Sequence, residues 1–162
     1  MISEQRHYKT LVRLFRYANT CQILIVSQTQ MITSANEFCR LRESSDRGEY
    51  SRAAIEEAPI EVWREIVSTR PDMRVWVVLN KTVPLEMLEE LTSAPEVEVR
   101  NAVARKRTLN EALAVRLAKD VDETVRAALA RNPKTPDSAL ELLNLDSSRL
   151  VQEALCARKE NG

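Results

Sequence analysis

Apolar residues in the second half of the chain recur at helical spacing, in short bursts divided by proline or polar corners. Val62, Trp63 and Ile66 share a face after Pro59, and Met87, Leu88 and Leu91 share one after Pro84. Leu113, Ala114 and Leu117 repeat the pattern, as do Ala139, Leu140 and Leu143 after Pro136. Steps of three and four residues predict amphipathic helices over 60–67, 85–91, 111–118 and 137–143. A second series precedes these, over 49–58, 73–80, 97–105 and 123–131. Proline suits a helix start because its missing N–H would have no intrahelical partner there. Acids lie at helix starts and Arg or Lys at helix ends, as the macrodipole favours. Each predicted helix has only two to three turns, so packing has to hold it.

The second series is periodic. Arg74, Arg100 and Arg126 are 26 residues apart, as are Val77, Val103 and Leu129. A further copy begins at Gln152, with Ala154, Leu155 and Cys156 in step. A fixed period of this length predicts an all-α helical-repeat solenoid of about four units. Ala102, Ala128 and Ala154 occupy one position, which lets neighbouring helices approach closely. Trp76 holds the same position one unit earlier, so stacking there has to be wider or end differently.

The N-terminal part lacks this period. Residues 8–17 read as an amphipathic helix with Leu11, Val12, Leu14 and Phe15 on one face, and 22–27 is ambiguous between strand and helix. From Met31 the character changes. Thr33 or Ser34 is placed to cap a helix through Arg42, and Ser34 and Glu37 have capping-box spacing. The expected organisation is an extension over 1–30 that precedes a natural start at Met31, a helix and polar loop over 31–48, and the repeat over 49–162.

Composition agrees with helices: 30% charged residues, 4% aromatics and two glycines. Net charge is zero, so nothing draws the whole chain to nucleic acid or an anionic membrane. The balance is uneven, with +3 over residues 1–44 and −3 over the rest. Cys21, Cys39 and Cys156 are odd in number and widely spaced, which predicts neither a disulfide framework nor a zinc site and fits a reducing cytoplasm. The apolar run 23–26 is too short for a membrane span.

The segments 99–105 (VRNAVAR) and 125–136 (VRAALARNPKTP) resemble the bacterial leucine-rich repeat variant, a relative of the HEAT-like helical repeats, and the resemblance covers roughly residues 49–158. It implies units that pair a longer helix with a shorter one, often 3₁₀, in a right-handed superhelix. The type member of that family carries an iron–sulfur module of clustered cysteines before its repeats. Only Cys21 and Cys39 stand there in this chain, so no cluster is implied.

Catalytic chemistry finds little support. His7 is the single histidine, and Gly48 and Gly162 cannot build a phosphate loop. No cofactor or metal is expected. The Arg74, Arg100 and Arg126 column is expected to form a ladder with nearby acids, of which Asp72, Glu98 and Asp122 are closest in sequence, with an exposed arginine stripe as the alternative. A corner ridge gathers Lys81, Arg105, Lys106, Arg107, Arg131 and Lys134, with Arg158 and Lys159 in the last copy. Cations at helix C-termini satisfy free carbonyls, yet the middle corner has more than that task requires. The opposite edge is acidic, with Glu96, Glu98, Asp120, Asp122 and Glu123, which N-capping and solvation account for and which would also suit a basic partner such as a nuclease. Trp63 and Trp76 are expected in the core, with recognition anchors as the alternative. Met87 is expected to pack inside, and Cys156, in the place of Ala104 and Ala130, is expected to be small and buried.

The expected function is therefore protein binding without catalysis, as an inhibitor or immunity-type partner of a toxin or nuclease. The alternative is nucleic-acid binding by the basic ridge. Leu150, Val151 and Leu155 have little after them to cover them, which raises a weak homodimer through the last unit.

Overall fold

The computed structural model describes residues 31–160, which are helical between short corners, with no strand among them. The extension over 1–30, with its predicted helix, His7 and Cys21, lies outside the described residues. Ten α-helices follow in order: α1 Ala35–Glu43, α2 Arg47–Ile55, α3 Ile60–Thr69, α4 Arg74–Leu79 after a 3₁₀ turn Pro71–Met73, α5 Leu85–Leu91, α6 Val97–Ala104, α7 Glu111–Ala118, α8 Glu123–Arg131, α9 Asp137–Asn144 and α10 Arg149–Glu160.

Local chemistry sets these boundaries. The Ser34 hydroxyl accepts from the Glu37 N–H at 3.2 Å. The Glu37 carboxylate turns back to the N–H and hydroxyl of Thr33, both at 2.8 Å, one residue earlier than in a capping box. Helix α2 starts at Arg47 rather than at 49, because the Asp46 carboxylate accepts from the Glu49 N–H at 2.9 Å. Asn110 and Asp122 cap α7 and α8 in the same way. Pro59, Pro84 and Pro136 stand at the N-cap positions of α3, α5 and α9.

Alternate helices touch: α4 packs on α6, α6 on α8, and α8 on α10, while α3 packs on α5 and α7 on α9. The core runs between the two sets. Trp63, Ile66, Met87, Leu88, Leu91, Leu117 and Leu143 are fully buried, with Val77, Val103 and Leu129 facing them from the other set. Each such aliphatic side chain contributes roughly 1.5–3 kcal/mol relative to exposure. Leu140, expected inside, is half-buried. Trp63 meets Phe38 of α1 edge to face, with ring centroids 5.4 Å apart.

The C-terminal helix departs from two expectations. Val151 and Leu155 are buried, because α10 packs on both α8 and α9, so the apolar end that raised a homodimer is covered apart from half-buried Leu150. Cys156 is exposed, not buried. Ala104 and Ala130 are covered because α6 and α8 each have a neighbouring helix on that side. Among the described residues no helix follows α10 to cover Cys156.

Candidate functional site

Two columns of polar side chains, both on the 26-residue period, tie one pair of helices to the next. The first is the arginine column. Arg100 donates from Nε and Nη2 to the two carboxylate oxygens of Asp120, at 2.8 and 3.1 Å, and from Nη1 to the carbonyls of Ala94 and Pro95. Arg126 repeats this with Asp146, at 2.6 and 3.2 Å, and with the carbonyls of Asp120 and Val121. Arg74 reaches both oxygens of Glu96 through Nη1 alone and gives Nε to the carbonyl of Val67. The ladder therefore exists, but not with the acids nearest in sequence. Each arginine reaches forward to the loop before the next helix of its set. Asp72 instead pairs with Arg70 at 3.0 Å, Asp122 caps α8, and Glu98 is exposed without an ion pair among the described residues. Hydrogen bonds from Arg126 hold the Asp146 carboxyl below the usual aspartate range. Gln152, next in the column, donates to the carbonyls of Leu143 and Asp146 and meets no carboxylate.

The second column is at the corners, and its order was missed in the sequence. Asn80 donates to the carbonyls of Ala53 and Glu56, both at 2.9 Å. Lys106 donates to the carbonyl of Asn80 at 2.7 Å, and Asn132 to those of Ala104 and Lys106 at 2.9 and 2.6 Å. Arg158 donates to the carbonyls of Asn132 and Pro133. These side chains join successive corners in one line. Lys106 is thereby a structural member of the basic ridge, half-buried, with its ammonium pKa lowered by desolvation. The equal spacing of Asn80 and Asn132 across two periods was the available signal.

What the columns leave over is unequal. Lys81, Arg105, Arg107, Arg131 and Lys134 are exposed, and none forms an ion pair among the described residues. The acidic edge is mostly engaged. Glu96 and Asp120 belong to the arginine ladder, Asp122 is a cap, and Glu123 accepts from the Ser148 hydroxyl at 2.6 Å. Of that group only Glu98 forms no ion pair or side-chain hydrogen bond among the described residues.

The two tryptophans divide as well. Trp63 is buried on all sides and cannot serve as an anchor for a partner. Trp76 is half-buried and stacks on the guanidinium of Arg42, whose carbon lies 3.6 Å from the Trp76 ring centroid and 3.9 Å from that of Tyr50. Arg42 Nη2 donates to the Tyr50 hydroxyl at 2.7 Å, while its buried Nε has no hydrogen-bond partner among the described residues.

Beside this stack, α4 and α6 leave a groove of about 360 Å³. Its walls are Val75 and Leu79 of α4 and Val97, Asn101 and Ala102 of α6, and Thr124 closes it from α8. Glu98 stands at one end and Arg105 at the other, as α6 runs from one to the other. Leu79 is 50% exposed, a large apolar side chain open to solvent.

A second depression, between α1 and the start of α2, is polar and satisfied by its own charges. Arg40 pairs with Glu49 at 2.7 Å, and Arg70 lies 3.6 Å from Glu43. Burial pushes the Cys39 thiol there above its ordinary pKa, which keeps it protonated and poorly nucleophilic at neutral pH. Among the described residues no group of three or more His, Cys, Asp or Glu is placed to hold a metal, and no helix is long and apolar enough to cross a membrane. No family profile, curated protein or solved structure matches the chain.

Proposed function

We propose that this chain is a non-catalytic, cytoplasmic protein-binding module, built as a short right-handed helical-repeat solenoid of the leucine-rich repeat variant kind. The repeat reading is supported by the two side-chain columns, which make the same contacts at the same 26-residue step. The binding reading rests chiefly on the open groove between α4 and α6, where Leu79 keeps half its surface in water with no part of the described chain to cover it. The toxin-inhibitor version, which relied on an acidic edge facing a basic partner, loses support because four of its five acids are already engaged.

Nucleic-acid binding remains the second reading, favoured by five corner cations that form no ion pair among the described residues. Against it, Arg74, Arg100 and Arg126 are not an open stripe, since each is held by a carboxylate. The test is affinity capture from native cell extract with the full chain as bait, at low and moderate salt, with and without nuclease. One stoichiometric protein that survives nuclease supports the module. Nucleic acid recovered instead, and lost as salt rises, overturns it.

A further inference from the structure

The groove and the corner beside it form one composite surface. Val75, Leu79, Val97 and Ala102 supply aliphatic walls, and the volume of about 360 Å³ suits a few side chains rather than a folded domain. Arg105 closes the groove at the corner end, and the corner line places Lys81, Arg107 and Arg131 next along that edge, because Lys106 and Asn132 bond successive corners together. None of these four cations is neutralised within the described residues. At the other end Glu98 is the one lining acid, exposed and without an ion pair among the described residues. The surface is thus mostly apolar, with Asn101 and Thr124 as its polar lining between the ends, and cationic at one edge.

We propose that the groove takes a short acidic amphipathic peptide segment of a partner protein, with apolar side chains against Leu79 and Val97 and carboxylates over Arg105 and the corner. This rests on the protein-binding reading above and specifies its occupant. Charge complementarity selects acid over base, and a carboxylate is the group that a guanidinium fork holds in two-point contact. A nucleic-acid strand fits less well, because the groove walls are aliphatic, without an aromatic face for base stacking, and the cations are at one end only.

The test is selection of a displayed library of random short peptides on the full chain, followed by titration of the enriched peptides. The expected result is enrichment of sequences that combine Asp or Glu with Leu, Ile or Phe. Their affinity should fall about tenfold in Leu79→Asp and about fivefold in Arg105→Glu, and weaken as salt rises. Lys119→Glu, an exposed charge change on the loop after α7, should leave it unchanged. Both test positions are exposed, and helical circular dichroism checks that each variant folds. Enriched peptides that lack acids would overturn the acidic occupant while leaving a protein-binding module. Acidic peptides indifferent to both substitutions would overturn the site. No enrichment, with a fluorescent single-stranded oligonucleotide bound instead, would overturn this proposal and the protein-binding reading together, and no binding of either kind would overturn the proposal alone.

Discussion

The same position of the 26-residue sequence period is filled in opposite ways in the earlier and the later of the described helices. In α6, α8 and α10 it holds Ala102, Ala128 and Ala154, and these helices lie directly on one another. In α2 and α4 it holds Tyr50 and Trp76, and the guanidinium of Arg42 from α1 fills the gap between the two rings. Small residues let backbones approach until the surface between them is gone. Aromatic residues hold helices apart and need a third group to occupy the space. The groove between α4 and α6 lies where one regime changes into the other, as Ala102 is still half-buried while Ala128 and Ala154 are not exposed. In the arginine ladder the acids separate in the same way: Glu96 is 33% exposed, against 7% for Asp120 and 9% for Asp146, while Arg74 and Arg126 are alike at 18% and 17%.

The sharpest way to break this contrast is to truncate the two tryptophans. Trp63→Ala removes a fully buried ring and should cost about 3–5 kcal/mol in urea denaturation. Trp76→Ala, at a half-open position, should cost about 1–2 kcal/mol, mostly through the lost stack on Arg42. Equal losses would mean that the N-terminal stack is as closed as the core.

The corner column offers a smaller pair. Asn132→Ala leaves the carbonyls of Ala104 and Lys106 without their donor and should cost about 1–3 kcal/mol. Lys106→Met gives up one hydrogen bond but also relieves the desolvation of a half-buried ammonium, so its cost should stay below about 1 kcal/mol. Thermal melts of the two variants give the ranking directly.

Acid provides the mildest perturbation. The Asp146 carboxyl is held below its ordinary value of 3.8 by Arg126, so its contribution to stability is complete above that value and is lost as pH falls through the lowered one. Stability measured against pH should therefore decline below about pH 4, and Asp146→Asn should flatten that decline while lowering stability at neutral pH.

Much of this was legible in the sequence, and the reasons differ between elements. The helices α5, α7 and α9 follow from apolar spacing and from their caps or prolines, because both signals are local. The arginine column was visible as a period, yet its partners were not, because each carboxylate is 20 to 22 residues ahead, across a unit boundary. Asp120 and Asp146 keep the period, but Ala94 stands where the first of the series would be and Glu96 reaches in from two residues away. The Arg42 stack was hidden for a stronger reason: Arg42 belongs to α1, outside the 26-residue sequence period, so no periodic comparison points to it. Cys156 is exposed against expectation because a position of the sequence period predicts burial only where a further helix packs on it.

The central claim is that the arginine column holds the units together and leaves the groove and corner for a partner. A double-mutant cycle on Arg100 and Asp120, read by chemical denaturation alongside binding of the enriched peptides, tests it most directly. Each single alanine variant should lose about 3 kcal/mol, and the double variant should lose less than the sum by at least about 1 kcal/mol, with binding unchanged in whatever remains folded. Additive losses below about 0.5 kcal/mol, accompanied by loss of peptide binding, would contradict it and make the column a recognition stripe.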